Sequence, residues 1–241
     1  MKSSATGRVS RPLVRAALHK GLRDAVLDYE RWTKGEALTQ WGAEAVLSTY
    51  CARALTSAIR EADASGSLTL EQHFGEVLDW SARQGRPGRR YKAEAEMMAR
   101  PSRRVDMLLW NKGNTPRAVI EIKRIAGVKG LAADAKRLCD FVRYAGRAYG
   151  GSIRFGMLAV VSRMSPKASV ANQKTYYARR YLALQEIARE ANMTVQMSKP
   201  KRVPAKNLAV PCIMETVVFT FKAPRQDSVT ARQRAVSRSH P

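Results

Sequence analysis

Acidic residues are scarce in this chain: its 241 residues hold 20 Asp+Glu against 43 Lys+Arg, a formal net charge of +23. That imbalance exceeds what solubility requires and points to a polyanionic partner, nucleic acid before a membrane surface. Cysteine and histidine are equally sparse, with three of each. Cys51, Cys139 and Cys212 stand far apart among apolar neighbours and lack paired Cys or Cys/His spacing. A zinc cluster and a disulfide framework are thereby excluded, and the three read as reduced core thiols of a cytoplasmic protein. His19, His73 and His240 show no ligand spacing with acids or with each other. No apolar run approaches the length of a membrane span, and the start Met1-Lys2-Ser3-Ser4 leads into no signal-peptide core. Neither membrane insertion nor secretion is expected. The glycines at Gly127, Gly130 and Gly146 to Gly151 fit no phosphate-loop pattern, so nucleotide hydrolysis has no support.

What the chain does have is 45% hydrophobic residues, enough for a sizeable core. Residues 1–12 and 225–241 are rich in Ser, Arg, Gln and Pro and read as basic flexible tails around a single domain at 13–224. Helical periodicity covers 12–32 and 36–61. The second of these stretches is apolar or small on nearly every side, with Leu38, Trp41, Val46, Leu47, Cys51, Leu55 and Ile59. After a turn-like segment at Asp63 to Ser67, the stripe Leu70, Phe74, Val77, Leu78 and Ser81 predicts a third helix ending at the Gly85 to Gly88 breakers. Strands are predicted at about 90–98, 103–111 and 117–124, then a helix at 128–147, a strand at Phe155 to Val161, a helix at 171–191, and strands near 193–198 and 214–222. The order predicts an α/β domain with a central mixed sheet flanked by helices.

A hairpin centred between Gly113 and Asn114 sets Asp106 opposite Glu121, Val105 opposite Ile122, Met107 opposite Ile120 and Leu109 opposite Ala118. One face is then wholly apolar, which supports the register independently of any motif. The other face carries Arg104, Asp106 and Leu108 on one strand and Val119, Glu121 and Lys123 on its neighbour. Two facing carboxylates about 5 Å apart destabilise a sheet unless a cation or a proton compensates them. Hard oxygen ligands with few histidines suit Mg²⁺ or Mn²⁺, which activates water and stabilises charge on a phosphate. The plainer alternative is a solvated strand face alternating Glu and Lys, but the in-register aspartate argues against it.

The stretch Arg104-Val105-Asp106-Met107-Leu108-Leu109-Trp110, followed by Ala118-Val119-Ile120-Glu121-Ile122-Lys123-Arg124, resembles the PD-(D/E)XK, or restriction-endonuclease-like, superfamily. The resemblance covers roughly 69–161. It implies a core of the order αβββαβ, with extra N-terminal helices and C-terminal strands. Val105 stands where the name-giving pattern has proline. The resemblance implies Asp106, Glu121 and the carbonyl of Ile122 as metal ligands, Lys123 as the catalytic lysine, and a further glutamate from a helix preceding the strands. For that last role Glu44, set among apolar residues, is preferred over Glu71 at the border of the third helix's stripe, while Glu76 falls on the opposite side.

Arg103, Arg104, Arg124, Lys129, Lys136 and Arg137 surround the motif and are the candidate phosphate contacts. Lys174, Arg179 and Arg180 interleave with Tyr176, Tyr177 and Tyr181, a pattern that suits base stacking but is more often core and rim. The expectation is a Mg²⁺- or Mn²⁺-dependent nuclease acting on DNA, in defence, repair or mobile-element processing, with a homodimer left open. The alternative is a non-catalytic nucleic-acid-binding or assembly protein on the same fold.

Overall fold

The computed structural model describes residues 7–38, 44–73, 75–77, 80, 104–124, 127–147 and 151–224. The elements are β1 (Gly7–Arg8), α1 (Arg11–Trp32), α2 (Glu44–Glu61), β2 (Ala64–His73), β3 (Arg104–Asn111), β4 (Pro116–Arg124), α3 (Val128–Tyr144), β5 (Phe155–Met164), α4 (Val170–Glu190), β6 (Thr194–Met197), β7 (Lys201–Val203) and β8 (Ile213–Lys222). The strands form one mixed sheet in the order β1-β2-β3-β4-β5-β8-β6, with β7 pairing β8 off this path. β2, β3 and β4 are an antiparallel meander. β4 and β5 run parallel, as they must when a helix, α3, returns the chain between them.

Alternation along the central strands sends side chains to two separate cores. Met107, Leu109, Ile120, Ile122, Met157 and Ala159 pack under α1 and α2. Leu108, Val119, Leu158, Val160, Phe219 and Phe221 pack under α3 and α4. The chain is therefore an α/β protein whose central mixed sheet is covered by helices on both faces. Ser10 caps α1, its side chain accepting from the Leu13 N–H, and Pro12 lies in the first turn where no donor is lost. Gly21 is required where α1 meets α2: a Cβ there would lie 2.5 Å from the Cys51 Cα. The two helices pack as a close pair for that reason. Among the described residues no helix is long and apolar enough to cross a membrane.

The structure corrects the third helix. Ala64 to His73 is strand β2, paired along β3 from Gly66↔Asn111 to His73↔Arg104, so Leu70 is a strand residue and Glu71 is not on a helix. Among the described residues that follow, Gly75 to Val77 and Trp80 are helical. The helical stripe through Leu70 and Val77 competes in the sequence with alternation at Leu68, Thr69 and Leu70, and pairing with β3 decides between them. Thr69 accepts a hydrogen bond from the Trp110 indole at 2.9 Å, while Leu68 packs beneath α1 and α2. Gly7–Arg8 form β1 and α1 begins at Arg11, both within the stretch read as a tail. The strand predicted at 90–98, Trp41, Phe74, Arg103 and the C-terminal tail lie outside the described residues.

Cys51 and Cys139 are buried free thiols and Cys212 is partly exposed. His19 is buried and fully satisfied, with Nδ1 2.7 Å from Thr216 Oγ1 and Nε2 3.0 Å from Ser198 Oγ. Burial, with Lys201 and Arg15 nearby, lowers its pKa from 6.5 to about 4. The stability that neutral His19 confers is therefore complete above pH 6.5 and lost as the pH falls towards 4, an effect on the order of 2 to 3 kcal/mol. Thermal melts of wild type and His19→Gln across this range should show a shallower acid slope in the variant; equal slopes would mean that His19 does not titrate on unfolding.

Candidate active site

The β3–β4 hairpin sets the geometry. Its backbone pairs are Met107↔Ile120, Leu108↔Val119 and Leu109↔Ala118, the register expected from the turn, with a shift to Trp110↔Pro116 beside it. Asp106 and Glu121 are the next positions in that register. There a side chain replaces the backbone rung: Asp106 Oδ2 accepts from the Ile122 N–H at 2.6 Å. The regular β3–β4 rungs end at Met107↔Ile120, so this contact stands where the ladder is interrupted. Beyond the interruption Val105 departs from the expected apolar face: it packs with Leu108 in the core under α3 and α4, not with Met107. Opposite Asp106 on β2, Glu71 has a positive φ of 55°, a further irregularity at this rung.

Charged side chains gather around Glu121, which is only 1% exposed on β4. Arg137 from α3 grips it at two points, Nε to Oε1 at 3.0 Å and Nη2 to Oε2 at 2.8 Å. The same Nη2 lies 2.8 Å from Oδ1 of Asp134, one helical turn earlier. Lys123, two residues beyond Glu121 and so on the same face of β4, places its Nζ 3.3 Å from Glu44 Oε2 and 3.8 Å from Asp134 Oδ2. Glu44 opens α2, on the opposite helical layer. The cluster thus draws on both layers and on two central strands, at one end of the sheet.

Burial and the neighbouring Asp106 carboxylate push Glu121 up to about 8 despite the pull of Arg137. Burial likewise raises Asp106 above the ordinary carboxylate range, although the Ile122 N–H and Lys123 oppose it. Asp134 is raised by burial against the influence of Lys123 and Arg137. Burial opposes the charge on Lys123, but Asp134, Glu44 and Asp106 outweigh it and hold the ammonium above its usual value. For all three carboxyl groups burial is the largest cause, so it is chiefly the loss of water that disfavours their charged forms.

Apart from Arg103, which lies outside the described residues, the sequence-predicted site residues fall as follows. Asp106, Glu121, Lys123 and Glu44 come together as described. Glu71 is exposed on β2, and Glu76 is exposed as expected. Arg137 departs from its expected role as an open phosphate contact, because it is turned inward onto Glu121 and Asp134. Internal compensation by this guanidinium also answers part of the repulsion that was assigned to a metal. Lys129 and Lys136 are exposed on α3, Arg124 is half-buried, and Arg104 is exposed with its Nε donating to His73 Nε2 at 3.2 Å. On α4, Tyr177 is buried and donates to Glu215, Tyr181 donates to the Val195 carbonyl, and Arg180 covers the Tyr176 ring at 3.4 Å. These tyrosines are engaged within the fold, while Lys174 and Arg179 face solvent.

Sequence reasoning missed Asp134. Its signal was present: an acid at i and an arginine at i+3, set between Leu131 and Leu138 on the apolar stripe of α3. Glu30, another buried acid, was also missed, but it serves the fold by accepting from the Lys206 N–H at 3.1 Å.

Scanned against family models, curated proteins and solved structures, the chain matches none. The reading of the site therefore rests on its own chemistry. Among the described residues no group of three His, Cys, Asp or Glu side chains is arranged to hold a metal ion. Mg²⁺ does not demand such a cage, since it keeps several waters and is often held by one or two carboxylates together with substrate phosphate. Asp106 and Glu121 bring two hard-oxygen donors together on neighbouring strands, with both oxygens of Glu121 engaged by Arg137.

Proposed function

We propose that this chain is a Mg²⁺- or Mn²⁺-dependent nuclease that hydrolyses phosphodiester bonds of DNA, serving defence, repair or mobile-element processing. The observation that carries this reading is the convergence of Glu44, Asp106, Glu121 and Lys123 at one end of β4. The succession α2, β2, β3, β4, α3, β5 supports the restriction-endonuclease-like order αβββαβ. Asp106, Glu121 and the Ile122 carbonyl would hold the ion, which when bound activates water and stabilises charge on the scissile phosphate. Lys123 orients the attacking water, or neutralises the phosphate as charge builds on it. Glu44 positions the Lys123 ammonium. Lys129, Lys136 and Arg124 lie where they can contact flanking phosphates.

The helix carboxylate is tested by a pair of variants. Glu44→Gln should lower the rate of DNA cleavage by about tenfold or more, since the Lys123 ammonium loses its charged anchor, and Glu71→Gln should leave it unchanged. The reverse pattern would transfer the role to β2.

One observation favours the second reading, a non-catalytic nucleic-acid-binding protein: both oxygens of Glu121 are occupied by Arg137. Incubating the protein with plasmid and single-stranded DNA, with Mg²⁺ and with chelator, separates the two. Binding without cleavage under Mg²⁺ and Mn²⁺ alike would favour the second.

A further inference from the structure

The two-point grip of Arg137 on Glu121 is as strong a contact as a carboxylate makes with a protein cation, and it uses both oxygens that a metal ion would need. Three features show that the grip can be exchanged. Arg137 is 23% exposed, so its guanidinium lies at the boundary of the buried carboxylate and the solvent. Its Nη2 is already shared with Asp134, which sits on the same helix and stays within reach if Glu121 is given up. Finally, among the described residues the cluster holds four carboxyl groups, Glu44, Asp106, Glu121 and Asp134, against two cations, Lys123 and Arg137.

We propose that Arg137 is a displaceable counter-ion: it holds Glu121 while no divalent cation is bound, and moves onto Asp134 and a phosphate of the DNA substrate when one binds. This rests on the nuclease reading above and adds to it a positioning residue and a coupling. With every group ionised, the described residues of the cluster carry two uncompensated negative charges, which a single divalent ion neutralises. A dication on Glu121 would repel a guanidinium on the same carboxylate, so the two occupy it in turn. The displaced guanidinium keeps one carboxylate partner and presents its remaining donors in the planar fork that matches a phosphate. Metal and DNA then bind cooperatively, because the metal releases the group that grips the phosphate, and by linkage DNA tightens the metal to the same degree. Asp134 is the element that makes the exchange inexpensive, since it is the carboxylate besides Glu121 that Arg137 contacts among the described residues.

The test is a calorimetric titration of Mn²⁺ into the metal-free full chain at pH 8.5, for wild type, Arg137→Gln and Arg137→Lys. Removing the competitor should tighten Mn²⁺ binding about tenfold in Arg137→Gln, with Arg137→Lys between it and wild type because a lysine makes only a single-point contact. A purely structural pair would show no gain. Duplex DNA binding measured with and without Mn²⁺ should lose its metal enhancement in Arg137→Gln. Should Arg137→Gln fail to fold, Arg137→Lys retains the charge and must still bind Mn²⁺ more tightly than wild type. Unchanged or weaker Mn²⁺ binding in the variants, with normal binding by wild type, would overturn the displaceable role and leave the nuclease reading intact. Absence of Mn²⁺ binding by all three proteins would overturn both.

Discussion

Lys123→Ala should lower Mg²⁺-dependent DNA cleavage at least about a hundredfold, and Glu121→Ala should do the same. The two losses have different origins. Lys123 is the ammonium whose surroundings, Glu44 at 3.3 Å and Asp134 at 3.8 Å, keep it charged and fixed in place. Its removal withdraws a positive charge aimed at the reacting phosphate and leaves the carboxylates free to repel one another. Glu121 is the buried carboxylate nearest Asp106 in the hairpin register, and its removal takes away half of the paired acid donors. It also strands Arg137, so circular dichroism and a thermal melt must accompany the assay. Single-turnover cleavage of plasmid and single-stranded DNA, with Mg²⁺ and with chelator, measures the effect. Full activity in either folded variant would dissolve the site assignment.

Nucleic-acid binding should weaken by about a thousandfold or more when salt rises from about 50 to about 200 mM, the response expected when six or more phosphates are neutralised. A formal charge of +23 supplies many cations for such contacts, and Lys129 and Lys136 stand exposed on the helix that also carries Arg137. Fluorescence anisotropy of a labelled duplex over a salt series gives the slope. Lys123→Ala and Glu121→Ala should retain most of the binding, since the flanking phosphate contacts lie outside the cluster. A slope near zero would contradict an electrostatic footprint.

The hairpin was the most legible part of the structure because period-two alternation and a tight turn act over a few residues. Met107↔Ile120 and Leu109↔Ala118 follow from counting outward from Gly113 and Asn114. Glu44 stood out as an acid in an otherwise apolar stretch; it opens α2 with a partly exposed side chain and meets Lys123 there. β2 was not legible, because its short alternation is ambiguous until β3 is beside it. Nor was the inward turn of Arg137, which looks in sequence like any other basic residue on a basic chain. Its fate is decided by Glu121, sixteen positions away on a neighbouring strand, and by the position of α3 over the sheet.

The cluster is also uneven in the lengths of chain that it closes. Arg137 reaches Glu121, and Asp106 reaches Ile122, across 16 positions each, whereas Lys123 meets Glu44 across 79. The longer closure costs about 1.4 kcal/mol more in loop entropy than either short one. The hairpin and α3 can therefore assemble their share of the charges as a local unit, while the Glu44–Lys123 contact waits for α2 to dock. In a folding chain, the bridge between the two helical layers is the last tie of the cluster to form and the first to loosen.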